Sequence, residues 1–271
     1  MAGFALNRYA SLRLTGPDAG SFLQGQVSAD VAGLGPAQGC LAGWHDAKGR
    51  VLALLNVIPA ENGFTVVLPA ELAESTAARM RMFVLRARVT LEPGPPVAGS
   101  FDGPAGDEPW QISADDAGHL VRLPGSPRWL RVGPGATDTE QSAEAELAWE
   151  FAAVKAGLPE VYAATSGRFV AQMLNLDTLG GISFTKGCYP GQEVIARAHH
   201  LGRIKRRMRR FRCPGEPPGP GEALGDGVSG TVVRSAPSGG DCELLAVVPT
   251  DTEGPFALPD GRTLAPAEEA A

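Results

Sequence analysis

The sequence predicts an α+β protein, in which a mixed α/β body is followed by a small all-β module. Three observations support this fold class. The 271 residues include 35 glycines and 23 prolines, about a fifth of the chain, which is too many for a helical bundle. Strand-like and helix-like patterns alternate up to residue 155. After residue 213, turn signals separate short strand-like segments.

The first hundred residues contain patterns for strands and two helices. Residues 11–14 alternate like a half-buried strand, and Thr15-Gly16-Pro17-Asp18 is typical of a helix start. Residues 51–58 and 64–68 form a predicted hairpin around the turn at 61–63. Pro69 opens a helix that runs to about Met82. Residues 85–91 alternate apolar and polar side chains, which predicts another strand.

The second half contains one clear helix and several strands. Residues 92–118 are rich in Gly, Pro and Asp, which predicts a loop or a reduced subdomain. Residues 143–155 form a predicted helix that Gly157-Leu158-Pro159 stops. Residues 214–221 are a turn-rich connector, 228–233 and 243–248 are predicted strands, and the tail from Ala265 is expected to fray.

Charge is concentrated in one segment. Eight basic residues and no acidic ones lie between Arg197 and Arg212, whereas the whole chain has 24 basic and 30 acidic side chains. The segment Arg203 to Arg212 could therefore contact an acidic partner or tRNA, or its arginines could pair with the acidic surplus of the same chain. Leu201, Ile204, Met208 and Phe211 have helical spacing, but periodicity alone cannot exclude a strand here.

Several classes of protein are disfavoured. The longest apolar run, residues 51–55, is far shorter than the ~20 residues that a membrane span needs, and the N-terminus resembles no secretory signal. The four cysteines, at positions 40, 188, 213 and 242, form no Cys-x-x-Cys pair, so we expect no metal site within the chain. Together these features predict a cytoplasmic protein without a membrane partner.

The segment from Gly180 to Glu193 is the most informative for chemistry. Glycines flank Cys188 at close range, so the backbone can bend and expose the thiol. Pro190-Gly191 suits the centre of a type II turn, or Pro190 is the first residue of a helix. Lys186 and nearby amides would favour the thiolate and hence reactivity. The alternative is an inert buried cysteine.

Other candidate residues carry weaker signals. His199 and His200 could bind a metal or move a proton, but a third ligand is not evident in the sequence. His45-Asp46 has no nucleophile motif beside it. Tyr9, Trp44 and Trp149 could stack on a flat heterocycle or could be ordinary core residues.

At residues 186–193 the sequence resembles the YgfZ family, folate-binding relatives of the aminomethyltransferase T-protein of glycine cleavage. The family signature Lys-Gly-Cys-Tyr-x-Gly-Gln-Glu is present as Lys186 to Glu193, and Ala196-Arg197 continues it. The resemblance extends to Asn175-Leu176 and residues 180–184, and to two remote blocks, residues 23–31 and 46–50. It spans most of residues 8–212, in blocks.

The resemblance implies an aminomethyltransferase-like, folate-binding body of two interleaved subdomains, followed by a small C-terminal β-barrel. The implied boundaries are 1–198 for the body, with 92–140 as a loop-rich or reduced subdomain, and 199–271 for the module. In that template the stretch after Gly202 is a strand. The implied function is tetrahydrofolate-linked support of iron–sulfur enzyme assembly or repair, including enzymes that modify tRNA. The partners would be folate and iron–sulfur enzymes or cluster carriers.

The resemblance also implies site residues. Cys188 would be the functional thiol, either as a shared cluster ligand or in redox chemistry, in a segment with Lys186, Tyr189, Gln192, Glu193 and Arg197. The folate contacts would be Tyr9, Trp149, Lys155, Gln24 and Asp46.

Three positions depart from the relatives' patterns. The residue two before Gly157 is usually Glu, which can accept hydrogen bonds from the pterin amine, whereas Lys155 has donors only. Either tight folate binding is lost or another carboxylate takes over this contact. Leu52 and Ala53 stand where T-proteins keep an acidic pair and cannot exchange protons. The sequence therefore favours an assembly factor over a folate-dependent aminomethyl or methyl transferase, with a tRNA-binding module as a further alternative.

Overall fold

A computed structural model describes residues 3–104, 106, 108–125, 127–137, 139–200, 202, 204–225 and 230–267. Within this part of the chain, three five-stranded antiparallel sheets are joined by four α-helices. None of the helices in these ranges is long and apolar enough to cross a bilayer.

The first sheet contains the predicted hairpin and has the strand order β3-β4-β5-β2-β6. Its strands are β2 (Tyr9–Thr15), β3 (Cys40–His45), β4 (Val51–Ala60), β5 (Gly63–Pro69) and β6 (Thr90–Pro93). Helices α1 (Ala19–Gln24) and α2 (Ala70–Arg81) cover it. The predicted strand over 85–91 is wrong except at its end, because the Arg88 amide donates to the Asp18 carboxylate at 2.7 Å and not to a neighbouring strand.

Most of the second sheet lies within residues 92–140, where a loop-rich stretch or a reduced subdomain is expected from the sequence. Its order is β1-β7-β10-β9-β8. Its strands are β1 (Phe4–Ala5), β7 (Val97–Ser100), β8 (Ile112–Asp115), β9 (Gly118–Arg122) and β10 (Trp129–Val132). Each strand has five residues or fewer, so a regular alternation was too short to recognise between the glycines and prolines.

Helix α3 (Ala143–Lys155) coincides with the predicted helix. The Ser142 hydroxyl caps its start by accepting from the Ala145 amide at 3.2 Å. Its end is a Schellman motif, in which Gly157, with φ of +64°, reverses the chain and the Leu158 amide donates to the Ala153 carbonyl at 3.0 Å. This reversal directs Leu158-Pro159-Glu160 back toward the middle of the body.

The third sheet has the order β12-β13-β11-β15-β14. Its strands are β11 (Arg206–Pro214), β12 (Thr231–Ser238), β13 (Asp241–Pro249), β14 (Phe256–Ala257) and β15 (Thr263–Pro266). The strand alternative for the basic segment is therefore correct. The expected barrel is not confirmed: β12 and β14 end the strand order, and residues 221–225 contact both, with the Val232 amide donating to the Glu222 carbonyl at 2.9 Å and the Gly225 amide donating to the Ala257 carbonyl at 2.8 Å. Ala265 and Pro266 belong to β15, while Arg203, residues 228–229 and residues 268–271 lie outside the described ranges.

Both faces of the third sheet are buried, which explains the long apolar run of β13. Leu245 and Val247 belong to the core of the body, whereas Leu244 and Val248 belong to a separate core with Phe211 and Phe256. Successive side chains of a strand point to opposite faces, so alternate residues of one strand contribute to two cores. The third sheet is thereby fixed against the body.

Candidate functional site

The described part of the chain contains a pocket where all three sheets approach α3, with a cavity volume of about 30 Å³. In this structure the cavity has room for about two water molecules. Its wall is contributed by Tyr9, Leu41, Leu54, Asn56, Trp110, Leu123, Arg128, Leu130, Trp149, Leu158, Pro159, Glu160 and Arg234. The wall combines large aromatic and aliphatic faces with a few charged groups, which is the usual composition of a site for a flat polar ring.

A buried ion pair crosses the pocket between α3 and β12. Arg234 donates to the Glu150 carboxylate at 2.7 and 2.9 Å and to the Tyr9 hydroxyl at 3.0 Å, and Arg8 approaches Glu150 at 3.0 Å. Burial opposes ionisation of Glu150, but Arg234 and Arg8 outweigh it and hold the pKa of Glu150 below its usual range. A β-bulge between Val232 and Arg234 shifts the register of β12 at this point.

Glu160 is the carboxylate in the pocket wall, and its electrostatic setting differs from that of Glu150. Its side chain is buried, accepts from the Val161 amide at 3.1 Å, and is hydrogen-bonded to Tyr9. Burial dominates over the attraction of Arg234 and raises the pKa of Glu160 to about 7. Glu160 is therefore poised to change charge near neutral pH.

Arg128 supplies a donor on the same wall. Its guanidinium lies 5.1 Å from the centre of the Trp149 ring and donates to the Trp149 and Pro124 carbonyls at 3.3 Å each. Burial lowers the pKa of Arg128 to about 9. Its Nε atom is buried and has no hydrogen-bond partner among the described residues. The pocket thus offers one unmatched donor, from Arg128, and one carboxylate acceptor, from Glu160.

Cys188 lies on the surface, immediately before a tight turn. Its thiol is free and exposed. The Gln192 amide donates to the Tyr189 carbonyl at 3.2 Å, and Gly191 has φ of +79°, which is the geometry of a type II turn with Pro190-Gly191 at its centre. Helix α4 (Gln192–His200) begins directly after this turn. Of the two alternatives for Pro190, the turn is correct. Cys188 is exposed and not buried, and its reactivity stays a prediction.

Lys186 does not lie free beside the thiol. Its ammonium donates to the carbonyls of Gln24, Val27 and Ala29 at 2.6, 2.8 and 2.8 Å. Partial burial lowers the pKa of Lys186 to about 8. The three carbonyls follow or end α1, so this side chain fastens the signature segment to the first remote block of the sequence.

The second remote block contacts the same segment through glycine. A Cβ on Gly191 would lie 2.6 Å from the Cα of Gly49, so the two backbones are in direct contact. Asp46 shapes the turn before Gly49, because its carboxylate accepts from the amides of Lys48 and Arg50 at 2.8 and 2.9 Å. The blocks at 23–31, 46–50 and 186–193 therefore form one structural unit around the Cys188 turn.

The tyrosine of the signature covers a buried histidine. Tyr189 and His45 have ring centroids 6.2 Å apart and are both buried. Burial raises the pKa of Tyr189 to about 12 and lowers the pKa of His45 to about 4, so both are neutral at pH 7. Tyr189 is thus a core residue on which the turn packs.

The remaining predicted residues divide between pocket, scaffold and surface. Tyr9 and Trp149 line the pocket. Gln24 binds the Asp30 side chain and the Val31 and Ala32 amides, so it shapes a loop. Lys155 is exposed, with its ammonium 5.7 Å from the Phe151 ring centre, and is absent from the pocket wall. On α4, Glu193 and Arg197 are exposed and Gln192 is half-buried. Trp44 is a core residue.

The structure divides the basic segment into paired and unpaired residues. Arg207 pairs with Asp177 at 2.6 Å, and Arg210 and Arg212 share Glu243 at 3.8 and 3.3 Å. Lys205 and Arg206 have no carboxylate within 4 Å in the described part of the chain. Much of the positive charge of β11 is therefore balanced inside the molecule.

Sequence reasoning missed the polar residues of the pocket. Glu160 directly follows the helix-stop motif, and Arg234 interrupts the apolar residues of β12, which is the pattern of a charged residue on a buried strand face. That pattern could have identified Arg234. Trp110 and Arg128 lie in an irregular region where no periodicity points to the pocket. Among the described residues, no three His, Cys, Asp or Glu side chains are arranged to hold a metal ion.

Comparison with known proteins gives both structural and sequence likenesses. The fold is similar to that of a glycine cleavage system aminomethyltransferase T from Bartonella henselae, with a TM-score of 0.74 and 15% identity, covering 97% of this chain and 83% of that one. The sequence is 34% identical over 231 residues to a tRNA-modifying protein YgfZ from Klebsiella pneumoniae (strain 342). It is 32% identical over 232 residues to one from Cronobacter sakazakii (strain ATCC BAA-894). Both alignments cover 75% of this chain and 69% of the relative. No family model matches the chain.

The fold, with its three antiparallel sheets around a central pocket, thus places the chain in the aminomethyltransferase-like class. Within that class, the extent and identity of the sequence match show that the chain belongs to the family of the tRNA-modifying protein YgfZ. This confirms the resemblance inferred from the Lys186–Glu193 signature.

Proposed function

We propose that this protein binds a reduced folate in the pocket and uses Cys188 to support assembly or repair of iron–sulfur enzymes, among them enzymes that modify tRNA. The observation that carries the proposal is the exposed Cys188 thiol at a turn built jointly by all three family-typical blocks. A surface thiol held on a rigid turn can reach a partner protein, which a core thiol cannot.

The donor set of the pocket supports a folate. Trp149 and Tyr9 offer aromatic faces to a flat pterin. Glu160 can accept hydrogen bonds from the pterin amino group, which Lys155 cannot do. The buried Nε of Arg128 can donate to a ring nitrogen or carbonyl. When bound, a reduced folate would supply one-carbon or redox chemistry, and the protein residues would bind and orient its ring.

The first experiment tests the thiol. We expect Cys188→Ser to abolish maturation of an iron–sulfur enzyme, read as modified nucleosides in tRNA from cells that depend on this protein. Because the Cys188 side chain is exposed, the unfolding temperature of Cys188→Ser should equal that of the wild type. Cys40→Ser is the matched control, since Cys40 is half-buried and outside the turn, and it should retain activity. Full activity of Cys188→Ser would overturn the proposal.

The second experiment tests the pocket. Calorimetric titration with tetrahydrofolate should show binding that strengthens as pH rises through about 7, because Glu160 accepts hydrogen bonds best when ionised. Glu160→Gln should weaken binding and remove this pH dependence. Binding that is independent of both pH and Glu160 would place the folate elsewhere.

Aminomethyl transfer is not favoured by the structure. Ala53 is buried and Leu52 is half-buried on β4, so neither position offers a group that could exchange a proton with a substrate. Incubation with tetrahydrofolate and an aminomethyl donor should therefore give no turnover.

A further inference from the structure

Three rings form a cluster where Phe184, four residues before Cys188 in the sequence, meets the end of α4. Phe184 and His199 stack with centroids 3.8 Å apart and planes 18° apart, and His200 packs edge-on against His199 at 4.8 Å. His199 and His200 are exposed at the end of α4, while Phe184 is half-buried below them. Phe184 and His199 stack face to face, as nucleobases do, and the rings of His199 and His200 face solvent.

Unpaired positive charge lies on the same part of the chain. Arg197 precedes His200 by one helical turn, so both share a face of α4, and both are exposed. Lys205 and Arg206 follow shortly after α4, and none of the three cations has a carboxylate within 4 Å among the described residues. Glu193, one turn before Arg197, is the acidic group of this helix.

Three of the arginines further along β11 differ in this respect, whereas Arg209 contacts the Thr252 carbonyl and no carboxylate within the described ranges. Arg207, Arg210 and Arg212 are engaged with Asp177 and Glu243. In the part of the chain that the structure describes, positive charge without a carboxylate partner therefore lies at Arg197 on α4 and near the start of β11, while much of the later part of the strand is balanced.

We infer that Phe184, His199 and His200 form a stacking platform for an unpaired base of an RNA loop, with Arg197 and Lys205 contacting the flanking phosphates. Aromatic side chains, histidine included, stack on the splayed bases of single-stranded RNA, while cations follow the backbone. Duplex RNA hides its base faces and would not use this platform. The inference rests on the proposed function, because it gives a protein that supports tRNA-modifying enzymes a direct contact with tRNA.

The experiment uses the full chain and an RNA hairpin with a seven-nucleotide loop that carries one 2-aminopurine. We expect 2-aminopurine fluorescence to be quenched on binding and affinity to fall with salt. His199→Ala should weaken binding about tenfold and remove the quench, whereas His199→Phe should retain both. Arg197→Ala should reduce the salt slope by about one, and Arg212→Ala, whose charge is already paired, should leave it unchanged.

Equal affinity and quenching for the wild type and His199→Ala would overturn the inference, as would equal competition by a blunt RNA duplex. Tetrahydrofolate titration and the maturation assay are run on the same variants. If His199→Ala loses RNA binding but keeps folate binding and maturation activity, only the role of the platform in function is refuted. If Cys188→Ser keeps both RNA binding and full maturation activity, only the proposed function is refuted.

Discussion

Gly191 lies directly against Gly49: a side-chain carbon at Gly191 would be 2.6 Å from the Cα of Gly49 and 2.6 Å from the carbonyl oxygen of Asp46. Both glycines have left-handed backbone angles, with φ of +79° and +72°. This contact joins two turns that are distant in sequence, and it determines where the Cys188 turn sits on the body. A side chain at Gly191 would push the two turns apart, whereas a side-chain carbon at Gly49 would lie 3.1 Å from the Cβ of Val194.

The first prediction concerns this contact. Gly191→Ala should lower the free energy of unfolding by about 2 kcal/mol or more, because it adds a backbone clash to an unfavourable φ. Gly180→Ala is the matched control, since Gly180 has φ of +71° but open space around its Cβ position, and it should cost about 1 kcal/mol. Urea unfolding measures both. Equal losses would mean that the Gly49 contact contributes nothing.

The second prediction concerns the buried pair of Glu150 and Arg234. Arg234→Ala should destabilise the protein by about 3–5 kcal/mol, because it leaves the Glu150 carboxylate buried beside Arg8 alone. Arg88→Ala, which breaks the exposed pair with Asp18, should change stability by less than about 1 kcal/mol. Denaturant midpoints compare the two, and similar small effects would show that the buried pair is dispensable.

The third prediction is a pH dependence of stability. The pKa of Glu160 is raised from 4.5 to about 7, so the native state keeps this proton over a range in which the unfolded chain loses it. Stability should therefore fall as pH rises from about 4.5 to about 7, by up to about 3 kcal/mol. Glu160→Gln should remove this component, so its gain in unfolding temperature over the wild type should be larger at pH 8 than at pH 5. A constant difference between the two proteins would contradict the assignment.

The fourth prediction separates two positions for the folate acceptor. Lys155→Glu should leave the Kd for tetrahydrofolate within about twofold, because an exposed charge outside the pocket wall interacts weakly. Glu160→Gln should weaken binding about tenfold, since it removes hydrogen bonds to a charged acceptor. Tighter binding of tetrahydrofolate by Lys155→Glu would mean that residue 155 contacts the pterin, as the family pattern suggests.

Local features of this protein were predictable from the sequence. Helix α3 was bounded correctly, because its capping and stop signals lie within a few residues of the helix. The turn at Pro190-Gly191 was among the alternatives for the same reason. The short strands of the second sheet were not recognised, since four or five residues carry too little periodicity among glycines and prolines.

The signature and its two remote blocks identified the family and pointed to Cys188, because a motif is a property of residue order. Which charged groups become neighbours was decided by tertiary packing. The Schellman reversal at Gly157 and the bulge in β12 bring Glu160 and Arg234 to one pocket, with Glu150 paired to Arg234, and leave Lys155 outside it. In the same way, packing paired Arg207 with Asp177 and left Lys205 free. Burial and the distance to other charges set the pKa values of Glu150 and Glu160, and both exist only once the chain is folded.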